Sequence, residues 1–269
     1  MMIAVICSVT VTAQVSNQNN QKMDKTALTK KTYKKLFGGE ALSGKGTDPE
    51  LMNILQKFIF GEVFHTGNLR DKQRELITIV TLTAQQTLPQ LKAHTGAALN
   101  IGVTPIEIRE AVYQCAPFIG YPKTLNAVNT INEVFKEKNI SLPLENETKV
   151  KEEERFAKGK EIQDSLYGDE IKENLKDLPG NFKDDIPRFL TEACFGDFYT
   201  RGGLDVKTRE LLTFCVLATI GAEEQIKSHA LGNIKAGNSK ETLIAAMVQC
   251  IGYIGFPNAL NAINIIKDI

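Results

Sequence analysis

The chain has 269 residues, 42% of them apolar, with 32 basic and 32 acidic side chains and no formal net charge. That length and apolar share suffice to bury one large or two ordinary cores. The charge balance leaves no broad basic field to hold a phosphate backbone, so nucleic acid is not an expected partner.

The opening MMIAVICSVTVTAQ is a short apolar run that ends in small residues. It predicts a signal peptide over 1–13, cut before Gln14, and hence a periplasmic or secreted protein, although it lacks the usual leading Lys or Arg. Without export the chain would be cytoplasmic. Residues 14–30, rich in Asn, Gln and Lys, predict a flexible leader. No later run is read as a membrane span, so no membrane partner is expected. DPELMNILQKFIFG predicts a helix with Asp48 as N-cap and Pro49 in the first turn. DKQRELITIVTLTAQQ (71–86) places Leu76, Ile79, Val80 and Thr83 on one helical face. PQLKAHTGAALNIG (89–102) opens on proline and closes on Gly102. In TPIEIREAVYQCAPF, Thr104 and Glu107 sit at capping-box spacing. A further helix follows from Tyr121.

The helices then recur. Phe60–Val134 aligns with Phe195–Ile269 at a constant shift of 135 without a gap, and 25 of the 75 positions are identical. Chance gives roughly one in fifteen to twenty, so the chain carries one unit twice. Helices are predicted at 184–196, 206–220, 223–236, 239–251 and 257–268. Upstream, YKKLFG (33–38) echoes DSLYG (164–168). The organisation read is a first repeat over 31–140, a linker over 141–151 and a second repeat over 152–269. QCAPFIGYPKTLNA recurs as QCIGYIGFPNALNA. Gly120 and Gly255 break one helix, Pro122 and Pro257 open the next, and Leu125 and Leu260 are expected to face the core.

Histidines are few: His65, His94 and His229. His94 and His229 are repeat equivalents, and so are the pairs Arg74-Glu75 and Arg209-Glu210, each Glu 19 residues before its His. A carboxylate beside an imidazole would orient it as a general acid or base. In simple antiparallel geometry, however, Glu75 and His94 differ in height by roughly 9 Å, so direct contact does not follow. No metal-ligand spacing, phosphate loop or C-x-x-C occurs, and no cofactor or metal is expected. Cys115, Cys194, Cys215 and Cys250 each lie in an apolar run and are expected to be free and buried.

With R-E-L, the mid-repeat His, NIGVTPIEIREAV and the Gly-aromatic-Pro/Leu-Asn-Ala segment in hand, both repeats resemble the carboxymuconolactone decarboxylase family. The resemblance implies an all-α fold, two tandem copies of an alkylhydroperoxidase D-like helical bundle, and assembly into rings. Three two-repeat chains would then mimic a hexamer. The peroxidase branch of that superfamily uses Glu, C-x-x-C and His. Glu75/His94 and Glu210/His229 match, but the cysteine positions hold Thr87 and Gln90, Ala222 and Gln225. The decarboxylase branch fits better, and its Arg-containing segment resembles YTRGGL, which implicates Arg201. The first repeat has Thr66 there, next to His65. The expected catalytic set is therefore His229, Glu210, His94 and Glu75, with Arg201, Arg209, Arg74 and His65 binding a small organic acid. The expected function is decarboxylation, or related proton transfer, on an unsaturated or lactone acid. Thiol antioxidant activity and a non-catalytic oligomeric binding protein are the alternatives.

Overall fold

The computed structural model describes residues 24–269. The expected signal peptide and the start of the leader lie outside the described residues. The leader ends sooner than its polarity implies. Lys25–Phe37 is a helix, α1, capped by Asp24, whose carboxylate accepts from the amides of Thr26 and Ala27. Only a narrow stripe of α1 is buried, Thr29, Thr32 and Leu36, which leaves little trace in the hydropathy.

The first repeat continues through α2 (Pro49–Gly61), α3 (Asp71–Gln85), α4 (Leu88–Asn100), α5 (Pro105–Gln114), α6 (Ala116–Ile119) and α7 (Tyr121–Glu137). The second has α8 (Arg155–Tyr167), α9 (Glu170–Leu175) and α10 (Phe182–Phe189), which runs into a wide π-helical segment, Leu190–Tyr199. It closes with α11 (Val206–Ile220), α12 (Glu223–Lys235) and α13 (Lys240–Lys267). No strand occurs among the described residues, so the fold is all-α. The β-prone segments ITIVTLT and LLTFCVLAT are the centres of α3 and α11, buried continuously over 74–84 and 209–219. A helix enclosed on all sides needs no polar face, which is why its pattern imitates a buried strand.

Local signals were mostly realised. Thr104 and Glu107 form the reciprocal capping box. Asp48 precedes α2, but its carboxylate accepts from Thr47 and caps nothing. Gly120 and Gly255 adopt φ of 83° and 78°, a backbone that favours glycine, and break the chain before Pro122 and Pro257.

The repeats do not keep separate cores. Ile79, Leu82 and Ile108 from the first share one apolar cluster with Leu211, Phe214 and Met247 from the second. The linker is ordered over this core: Leu142 and Leu144 pack against it, and Glu147 accepts at its carbonyl from the Gly202 amide. Leu125 and Leu260 correct the reading that faced them inward, since they are 59% and 48% exposed. Contrary to the sequence reading, α13 is long and apolar enough to cross a membrane by composition. It bends at Gly255, and Leu243, Ala246, Met247 and Cys250 on one side are fully buried in the core.

Candidate active site

Glu210 on α11 is completely buried. Its Oε1 accepts from the Tyr199 hydroxyl at 2.5 Å and its Oε2 from the Tyr167 hydroxyl at 2.7 Å. His229 on α12 sets Nδ1 2.7 Å from the Tyr167 oxygen and 3.2 Å from Glu210 Oε2. The one Tyr167 proton goes to the carboxylate, so its oxygen accepts from Nδ1–H. That assigns the Nδ1–H tautomer and leaves Nε2 with no protein partner among the described residues. Burial and the Glu210 charge push the pKa of Tyr167 and of Tyr199 upward, so both stay protonated donors.

Close backbone approach brings these groups together. A Cβ on Gly159 of α8 would lie 2.3 Å from the Thr191 carbonyl, and one on Gly196 would lie 2.6 Å from the Arg155 carbonyl. The two glycines let α8 and the π segment touch. Tyr167 at the end of one and Tyr199 at the end of the other then reach a single carboxylate. The π winding also turns Leu190, Cys194 and Phe195 toward a cavity of about 440 Å³ that His229 lines. Pro117, Phe118 and Ile171 complete its apolar wall, and Glu170, Asn174, Glu224, Gln225 and Ser228 are among its polar residues. Phe118, from the first repeat, stands edge-on to the imidazole at 5.6 Å.

In the first repeat Glu75 Oε2 lies 2.9 Å from His94 Nδ1. The carboxylate and imidazole thus meet in both copies, and the 9 Å offset does not arise. That offset assumed straight, parallel axes. The surroundings differ. Phe37 and Phe64 occupy the places of Tyr167 and Tyr199, and Oε1 of Glu75 has no partner among the described residues. Phe37 and Tyr253 close edge-on over His94 at 5.4 and 5.5 Å and leave it 7% exposed.

The duplicated Gln-Cys segments cross between repeats. Gln114 donates to Thr213 and accepts from Arg209, while Gln249 donates to Thr78 and accepts from Arg74. Arg74 also donates to the carbonyls of Val63, Thr66 and Gly67, and Arg209 to those of Arg201 and Gly202. These two guanidiniums are 1% and 0% exposed and tie loops to helices, so they are not placed to bind a substrate. Arg201 forms a two-pronged pair with Glu110 and faces cavities that His229 does not line. His65 is exposed and pairs with Thr32; burial and then Arg74 lower its pKa. Of the eight expected residues, His229–Glu210 and His94–Glu75 come together, and the four proposed binders lie elsewhere. Tyr167 and Tyr199 were missed. The YKKLFG/DSLYG echo already paired Tyr167 with a phenylalanine, the one sequence sign that the copies differ at this carboxylate.

The fold and site define a fused, two-repeat helical bundle with a His–Glu pair in each repeat. The model of the carboxymuconolactone decarboxylase family matches residues 49–133 and again 184–268, well over half of the chain. The chain belongs to that family. It is 26% identical over 119 residues to the 4-carboxymuconolactone decarboxylase of Acinetobacter baylyi, covering 44% of this chain and 88% of that one. It is 33% identical over 94 residues to the nitrosuccinic acid decarboxylase npaB of Metarhizium robertsii, covering 34% of this chain and 66% of that one. An uncharacterised 15.0 kDa protein of Paracoccus denitrificans is 35% identical over 82 residues, covering 30% of this chain and 61% of that one. The matches thus span a little under two thirds of these last two relatives.

Proposed function

We propose that the chain is a carboxy-lyase whose working site is the His229 cavity of the second repeat. The observation that carries this reading is the imidazole itself: Nδ1 is held by Tyr167 and Glu210 while Nε2 is free beside a cavity. The substrate class is a small carboxylic acid whose carboxylate-bearing carbon adjoins an electron-withdrawing group such as a lactone, enone or nitro group. Loss of CO₂ leaves the bonding pair on that carbon, delocalised into the adjoining group. His229, protonated on both nitrogens, then delivers the Nε2 proton to carbon and returns to its Nδ1–H form. The buried Glu210 carboxylate offsets the imidazolium charge, and two tyrosines fix it in place. The apolar wall of Phe118, Leu190 and Phe195 favours the departure of a charged carboxylate as neutral CO₂. Two relatives are named for decarboxylation of 4-carboxymuconolactone and of nitrosuccinic acid, which agrees with this class.

A thiol route is disfavoured. Cys194 lines the cavity, but burial and the Glu210 charge push its pKa far up, and the thiolate is the reactive form. The test is CO₂ release from 4-carboxymuconolactone, nitrosuccinate and related acids. His229→Asn should abolish turnover by 10²–10⁴, as expected of a general acid, and His94→Asn should leave it nearly intact. Binding of these acids with no CO₂ release from any of them would favour the non-catalytic alternative.

A further inference from the structure

A second site lies where the repeats and the linker meet. Glu110 of α5 is fully buried and takes hydrogen bonds from three guanidiniums: Arg109, Arg201 and Arg209. Three cations thus share one carboxylate, and Nε of Arg209 is buried with no acceptor among the described residues. Glu147, whose charge also reaches Arg201, is paired with Lys149. Guanidiniums this largely buried need their charge matched.

The excess faces a cavity of about 580 Å³. Arg109 and Arg201 stand at its wall, both over the Tyr113 ring, at 5.6 and 5.3 Å from its centroid. Lys136 adds a third cation, Asn132 and Asn146 add amide donors, and among the described residues no carboxylate lines the space. Nη1 of Arg109 has no protein acceptor among the described residues. Linker residues 142–144 and Val128 form an apolar side. The arrangement exists once: at the places of Arg109, Glu110, Tyr113 and Arg201, the other half of the pseudo-symmetric chain has Ile244, Ala245, Val248 and Thr66.

We propose that this junction binds a small organic anion, with the oxyanion head on Arg109, Arg201 and Lys136 and an apolar body against the linker. The site is separate from the His229 cavity and does not depend on how that cavity functions. Titration calorimetry of the whole chain with sodium benzoate and with sodium phosphate, against sodium chloride at matched ionic strength, tests it. Benzoate is expected to bind, and Arg109→Gln to weaken it at least tenfold. Lys136→Gln, which touches no buried pair, should weaken it about threefold. His229→Asn should bind benzoate as wild type does. Binding of phosphate but not benzoate would overturn the proposal that an apolar body is bound, because the cations alone would then select the ligand. If neither anion binds beyond chloride, or if both variants bind like wild type, the proposal is overturned.

Discussion

Tyr199 donates to Oε1 of Glu210 at 2.5 Å, whereas its counterpart Phe64 leaves Oε1 of Glu75 bare in a buried setting. The same fold therefore holds two Glu–His pairs in different states of completion. One is satisfied and borders a cavity, and the other is unsatisfied and enclosed. A buried acceptor without a donor costs about 1–3 kcal/mol. Phe64→Tyr would supply the donor, and it should raise stability in urea by about 1 kcal/mol. The converse change, Tyr199→Phe, should lower it by a similar amount or more. Loss of stability in both variants would show that the hydroxyl is not what matters.

Tyr167 bridges Glu210 and His229, and it sets the tautomer more than it provides the proton. Tyr167→Phe should reduce kcat by about 10- to 100-fold and change KM little, since the cavity wall is kept. Gly232→Ala should act in the same direction, because a Cβ there would lie 2.6 Å from the Tyr167 hydroxyl. Unchanged kcat in Tyr167→Phe would show that Tyr167 does not control the His229 tautomer.

Glu110 provides a pH signature. Burial would raise its carboxyl pKa, but hydrogen bonds and charge from Arg201, with Arg209, outweigh that and hold it below the ordinary 4.5. A depressed carboxyl pKa stabilises the fold above the unfolded value, and that contribution is lost as pH falls through the lower folded value. Glu110→Gln should cost about 3 kcal/mol near neutrality, because three guanidiniums lose their shared anion. The gap between wild type and variant should close below pH 4.5. A gap that stays constant with pH would mean that the loss is packing alone.

Cys115, Cys194, Cys215 and Cys250 are free and buried. Burial pushes the first three well above the usual thiol range. In a Cys7→Ser chain, an aromatic disulfide reagent should find no thiol until denaturant is added. A single fast-reacting thiol, lost on Cys194→Ser, would reopen the antioxidant reading.

Both repeats expose the same apolar positions. Leu51 and Ile54 correspond to Ile186 and Phe189, and Tyr121 and Leu125 to Phe256 and Leu260, all at least 40% exposed. Exposed apolar groups repeated in register are what a symmetric assembly would cover. The chain is expected to sediment as an oligomer, with three chains giving six repeats. Ile54→Asp with Leu260→Asp should reduce it to the single chain. A wild-type monomer at micromolar concentration would refute this.

Much of the fold was legible in advance. The capping box at Thr104, the breaks at Gly120 and Gly255, and the duplicated helices follow from local chemistry and from a gapless repeat. Helix α1 and the true aspect of Leu125 and Leu260 were not legible. A thin apolar stripe or an outward-facing leucine looks the same in sequence whether it meets the core, a neighbour or water. Arg74 and Arg209 show the same limit at the site. Their recurrence beside Glu75 and Glu210 pointed to chemistry, yet each is consumed by carbonyls and by a glutamine from the other repeat.

Sequence by itself determined the duplication, the helical class and the recurrence of a glutamate 19 residues before a histidine in each copy, because those rest on residue identity and spacing along one chain, whereas that the two side chains touch came only from the structure. Only the tertiary structure decided which pair is complete and open. That depends on Tyr167, 43 residues from Glu210, and on Phe118, from the other repeat. Hydrogen-bond satisfaction and desolvation belong to the space around an atom, and that space is assembled from segments whose order in the chain does not reveal their proximity.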